Sequence, residues 1–120
     1  MSFRRKGREL AVQVLYQWDV HGVIDHAEEL DRVIAHSAEN WSVSRMAITD
    51  RTVLRVAVYE LLYMPDIPGR VTLNEAIDVV RLFGDEQSGA FVNGILDRIL
   101  REDPRLQAKA AEAMPPVAHD

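Results

Sequence analysis

A chain of 120 residues, 48% of them hydrophobic and 28% charged, has the length and composition of one globular domain. It contains no cysteine, which excludes disulfides and thiolate metal sites and suits the cytoplasm. No apolar run approaches the ~20 residues that span a bilayer, and Met1 to Arg8 lead into an amphipathic pattern rather than the apolar block of a signal peptide.

The formal net charge of −5 argues at first against a nucleic-acid partner, but its distribution reverses part of that. Arg4, Arg5, Lys6 and Arg8 put four positive charges and no acid in the first eight residues, so −9 falls on the rest. Between residues 19 and 39, Asp19, Asp25, Glu28, Glu29, Asp31 and Glu39 face Arg32 alone. A basic end on an acidic body reads as a localised RNA or phosphate contact. It also reads as a solvated basic tail, which charge by itself favours.

The first helix is predicted from about Phe3 to Val20. Leu10, Ala11, Val14, Leu15 and Trp18 share one face at helical spacing. At about 100° per residue, Arg5, Arg8, Val12 and Tyr16 form a stripe beside it. The second helix is predicted from about Asp25 to Ala38, with Asp25 accepting from the free N–H groups of its first turn. Its inner face is Ala27, Leu30, Val33, Ile34 and Ala38. Asn40-Trp41-Ser42 breaks that pattern.

A longer segment follows from about Ser44 to Met64, with a kink near Thr49. Leu54, Ala57, Val58, Leu61 and Leu62 surround most of its girth, as expected of a central buried helix. Pro65 and Pro68-Gly69 stop it. Thr72 and Glu75 fit a capping box opening the fourth helix, whose inner face is Leu73, Ala76, Ile77, Val80 and Phe83. Gly84 suits its C-terminal cap. The fifth helix runs from about Ser88 to Arg101 with Phe91, Val92, Ile95, Leu96 and Ile99 inward. Gly94 in mid-helix costs about 1 kcal/mol relative to alanine, which points to close helix packing there. Residues 104–120 are expected as a flexible tail, with Arg105 to Met114 a marginal helix. The expectation is one domain over residues 1–103, with sub-bundles at about 3–40 and 44–101.

No Gly-rich phosphate loop, HExxH or nucleophile motif occurs. His26 and Asp25 amount at most to an adventitious metal contact. Glu28, Glu29 and Asp31 read as a solvated helix face rather than an acid/base pair. No catalytic residue, cofactor or metal is expected, and recognition is what remains. Arg5, Arg8 and Tyr16 combine phosphate-pairing forks with a stacking ring, the usual equipment for single-stranded RNA. The same residues fit a helix with a basic start and a half-buried tyrosine. Arginines there oppose the helix dipole unless an anion neutralises them.

Several blocks taken together resemble the NusB transcription-antitermination family. They are Arg4-Arg5-Lys6-Gly7-Arg8-Glu9 running into Ala11 and Val14-Leu15-Tyr16-Gln17-Trp18, and Glu39-Asn40-Trp41 before Arg45. Asp50-Arg51 then leads to Leu54-Arg55-Val56-Ala57-Val58-Tyr59-Glu60-Leu61, followed by Pro68, Asn74-Glu75-Ala76, Phe83-Gly84, Ser88 and Phe91-Val92-Asn93-Gly94. The resemblance spans residues 3 to 101. It implies an all-α fold of two small bundles packed crosswise, here about five helices. It implies a bacterial cytoplasmic adaptor without enzymatic activity.

The family pairs with a ribosomal small-subunit protein, called NusE in this role, and binds boxA RNA. Other Nus factors and RNA polymerase then assemble into a complex that reads through terminators, chiefly in ribosomal RNA synthesis. By the same resemblance, Arg4, Arg5, Lys6 and Arg8 match the arginine-rich RNA segment, and Tyr16 and Phe91 match positions near the RNA path. The acidic face of the middle helices is one place for a basic ribosomal protein to dock.

One departure stands out. Only Asp19 to Glu29 separates Trp18 from Leu30, too little for the family's usual second helix and the start of its third. At an ordinary ~11–12 residues per helix, about one helix and its loops are missing. The N-terminal bundle is therefore expected to be thinner. Two other readings stay open. One is an interaction module, homodimeric through the surface that the missing helix uncovers, with RNA binding lost or weakened. The other is a detached NusB-like domain of an rRNA methyltransferase, against which stands the lack of a methyltransferase portion after Leu100.

Overall fold

A computed structural model describes residues 20–39, 41–83 and 86–113. These residues form six α-helices and no strand: α1 (Val20–Asp25), α2 (Ala27–Ser37), α3 (Ile48–Tyr63), α4 (Gly69–Phe83), α5 (Glu86–Glu102) and α6 (Gln107–Ala113). Short 3-10 turns at Val43–Arg45 and Pro104–Leu106 precede α3 and α6. The predicted helix over Phe3 to Val20 lies outside the described residues except for Val20, and so does Gly84.

The centre is α3. Apolar side chains occupy most of its circumference, and Leu54, Ala57 and Val58 are fully buried with Leu61 at 2% exposure. A helix apolar on nearly all sides needs neighbours on nearly all sides. Leu30 and Ile34 of α2, Ala76 and Val80 of α4, and Val92, Ile95, Leu96 and Ile99 of α5 supply them. One continuous core results, as the periodicity of the sequence requires.

Two polar contacts tie the helices around this core together, while the buried Nε of Arg51 has no hydrogen-bond partner among the described residues. Glu60 is 1% exposed and accepts from the Thr72 hydroxyl at 2.5 Å, which joins α3 to α4. Arg55 of α3 donates twice to the Asp31 carboxylate of α2, at 2.7 and 2.8 Å. That two-pronged contact fixes orientation as well as distance.

Several local expectations are corrected. Asp25 does not cap α2 but ends α1, and residues expected as a loop are helical. His26 separates the two helices, its Nδ1 lying 2.8 Å from the Gly22 carbonyl. No capping box forms at Thr72 and Glu75. The helix begins three residues earlier, and the Pro68 carbonyl accepts from the Val71 and Thr72 amides at 3.0 and 3.3 Å. Proline preorganises a helix start, and the Thr72 hydroxyl is drawn inward to Glu60 instead.

The kink near Thr49 is a full break, with the 3-10 turn ending at Arg45 and α3 starting at Ile48. Phe83 does not lie on the inner face of α4 but is 48% exposed. Gly94 is not a packing point: it is exposed, and a Cβ built there meets nothing within 4 Å. Close approach occurs instead at Gly69, where a Cβ would stand 3.0 Å from Leu100 Cδ1.

Residues 104–113, expected within a flexible tail, pack onto the bundle. Leu106 is 2% exposed, and the buried Lys109 donates from Nζ to the carbonyls of Glu60 and Met64 at 3.1 and 2.7 Å. Those carbonyls close the C-terminal end of α3, where a cation is favoured. The aliphatic stem of the lysine buries while its head reaches oxygen. Residues 114–120 lie outside the described residues.

Candidate nucleic-acid interface

Of the expected site residues, Phe91 is described; Arg4, Arg5, Lys6, Arg8 and Tyr16 lie outside the described residues. Phe91 is half-buried on α5, one turn after Gln87 and Ser88. Beside it opens a groove of about 350 Å³ lined by Trp41, Met46, Asp50, Gln87, Ser88 and Phe91. It joins the α2–α3 loop, the first turn of α3 and the first turns of α5.

The loop is held over α5 by charge. Arg98 of α5 donates to Glu39 at 2.6 Å and to Glu102 at 2.8 Å. The hydrogen bond and positive charge of Arg98 pull the Glu39 carboxyl below its ordinary range, and its two carboxylate partners raise the guanidinium in turn. The chain then turns, with the Trp41 amide donating to the Ala38 carbonyl at 2.8 Å. This brings the indole over Phe91, with ring centroids 5.9 Å apart and planes inclined at 74°. Edge-to-face pairs of this kind are favourable beyond the area they bury. Trp41 nevertheless remains 55% exposed. In the sequence Trp41 stands out as a break in the helical pattern and as part of a family block, not as a groove residue; a large ring in a polar loop is the available signal.

Beneath the rings, Met46 is 6% and Asp50 8% exposed. The Ser88 hydroxyl lies 3.4 Å from Asp50 Oδ2, longer than an ordinary O–H···O bond. The groove thus has two aromatic walls and a carboxylate in its floor. Arrangements of this type bind flat groups that carry hydrogen-bond donors.

The acidic face of the middle helices is less available than its sequence implied. Asp31 is engaged by Arg55. Glu29 accepts from the Tyr63 hydroxyl, which raises the Tyr63 phenol above its usual range, and Arg105 Nη1 lies 4.0 Å from it. Asp25 and Glu28 remain exposed. His26, Tyr59 and Tyr63 cluster nearby, with His26 and Tyr63 centroids 4.4 Å apart. Among the described residues no group of three or more His, Cys, Asp or Glu stands where it would hold a metal ion. No described helix is long and apolar enough to cross a membrane.

The model of the NusB family matches residues 19–101. The chain belongs to the NusB family. The transcription antitermination protein NusB of Geotalea daltonii is 41% identical over 142 positions, covering 87% of this chain and 98% of that protein. Among solved structures, Thermotoga maritima NusB superposes with a TM-score of 0.66 at 48% identity, covering 68% of this chain and 58% of that one. A chain from the crystal structure of a plectonemic RNA supercoil superposes at 0.65 and 32% identity, covering 68% of this chain and 59% of that one. In both superpositions the chain spans less than two thirds of the other's length.

The G. daltonii alignment also measures how short this NusB chain is. It is 142 positions long, yet 87% of 120 residues is about 104, so about 38 positions have no residue here. A shortfall of that size is at least what the loss of one helix and its connections leaves.

Proposed function

We propose that this NusB chain is a non-enzymatic transcription antitermination factor of the bacterial cytoplasm. It binds boxA-type single-stranded RNA together with a ribosomal small-subunit protein in the NusE role. The assembly, joined by other Nus factors and RNA polymerase, favours read-through, chiefly in ribosomal RNA synthesis. Arg4, Arg5, Lys6 and Arg8 take phosphates, and Tyr16 and Phe91 offer stacking surfaces. The observation that carries this reading is family membership at about 40% identity to a protein named for antitermination. The aromatic groove at Phe91 supports it from the structure.

The test is titration of a boxA-type RNA with and without the ribosomal protein. Binding that tightens when the protein is added supports the reading; no RNA binding in either case overturns it.

A second reading is favoured by the internal shortfall together with exposed apolar side chains, among them Ile48 at 73% and Ile24 at 64%. In it the chain is an interaction module that pairs with a second copy and has lost RNA binding. Sedimentation over a range of concentrations separates the two: a concentration-dependent dimer without RNA affinity supports the second.

A further inference from the structure

We propose that Trp41 and Asp50 form a pocket for one unpaired nucleobase and select bases that carry an exocyclic amino group over uracil. The proposal rests on the RNA-binding reading above and adds to it a stacking residue, a reading residue and a preference.

The geometry begins with the two rings. Planes inclined at 74° with centroids 5.9 Å apart form a corner, and the 55% exposure of Trp41 leaves indole surface free. A base lying on the indole stacks without regard to sequence, because every base has a π-face. Its edge then meets the polar part of the groove, where Asp50, Gln87 and Ser88 stand.

Discrimination falls to Asp50. An ionised carboxylate only accepts, and it has about four acceptor sites. Ser88 approaches one of them at the long distance of 3.4 Å. With Asp50 at 8% exposure, water is a poor substitute for a missing donor. Adenine, cytosine and guanine present an amino group there. Uracil presents one imino N–H flanked by two carbonyl oxygens, which a carboxylate repels. The groove volume of about 350 Å³ admits a flat ring system. An arginine of a protein partner shares two of these complements, flatness and donors, so the test separates it from a base.

Trp18 is the other tryptophan, so Trp18→Phe leaves Trp41 as the reporter. Ten-nucleotide oligo-A, oligo-C and oligo-U are titrated at low salt, following indole fluorescence and the anisotropy of labelled RNA. Expected is quenching of Trp41 by oligo-A and oligo-C at concentrations about tenfold below oligo-U. Trp41→Ala weakens oligo-A and oligo-C binding about tenfold, whereas Trp41→Phe keeps most of it. Asp50→Asn brings oligo-U within about threefold of the others, since an amide both donates and accepts. Circular dichroism checks that each variant is folded; should Trp41→Ala unfold, Trp41→Phe and Asp50→Asn decide. Equal affinity for the three oligonucleotides, or Trp41→Ala binding like wild type, overturns the pocket. So does a Trp41 signal that answers only to an arginine-rich peptide. If the pocket fails while boxA-type RNA still binds, the RNA reading survives it. Absence of any RNA binding removes both.

Discussion

At Gly94 the structure reverses the sign of the most natural mutation. The exposed Cα has no neighbour within 4 Å of a would-be Cβ, so nothing offsets the helix-propensity cost of glycine. Gly94→Ala is expected to stabilise by about 1 kcal/mol in chemical denaturation. Gly69→Ala is expected to destabilise, because the new methyl falls 3.0 Å from Cδ1 of Leu100, which is itself 2% exposed. Both being destabilising would restore the packing role at Gly94. Glu75 gives the residue scale its pH dependence. Although the residue is exposed, partial burial of its carboxyl, then the negative charges of Glu60 and Asp78, raises it above the ordinary carboxylate range. A raised folded value means the folded state holds the proton longer. Stability therefore falls as pH rises from the unfolded value through the folded one. Glu75→Gln is expected to raise the melting temperature at pH 7 and to change it little at pH 3.5; an equal gain at both would remove the electrostatic cause.

Among the elements, α3 was the most legible and α6 the least. The all-round apolar pattern of Leu54, Ala57, Val58 and Leu61 identified α3 as central because burial leaves no polar face to write. Leu61→Ala is expected to cost ~2–5 kcal/mol in urea unfolding, and a loss under about 1 kcal/mol would deny α3 its place. Residues 104–113 misled for the opposite reason. Alanine-rich composition says little about docking, and the side chain that anchors α6 is a lysine, a type that rarely buries. Its purpose shows only when the two carbonyls at the end of α3 are placed beside it. Lys109→Met keeps the stem and removes the donors. It is expected to cost ~1–3 kcal/mol and to speed amide exchange in α6, whereas unchanged exchange would mean that Leu106 holds α6 unaided. Helix starts were misplaced at Asp25 and Thr72 for different reasons: Asp25 is the exposed last residue of α1, and the Thr72 hydroxyl is taken by the Glu60 carboxylate. Phe91 was legible as a candidate through the family pattern, and the structure places it on the wall of the groove. Its partner Trp41 was not, because a ring contact across an α2–α5 junction has no periodicity in sequence.

For the whole molecule the decisive quantity is where the charge sits. A body carrying −9 and a basic end carrying +4 repel and attract the same polyanion, so RNA affinity without a protein partner is expected to be modest and strongly dependent on salt. With about three phosphates taken by Arg4, Arg5 and Arg8, log K falls against log salt with a slope of roughly −2, at ~0.7 per contact for single strands. Removing Arg5 flattens that slope by less than one unit and weakens all sequences alike. Stacking releases no counterions, so Tyr16→Ala and Phe91→Ala each cost ~1–3 kcal/mol with little change of slope. These two signatures separate the ends of the interface. The arginines change the slope, and the rings change the intercept. If the triple Arg→Ala variant binds boxA-type RNA as wild type does with the ribosomal protein present, the basic end is a solvated tail. The aromatic groove would then have to act without it, and the reading of the chain as a self-pairing module would move ahead.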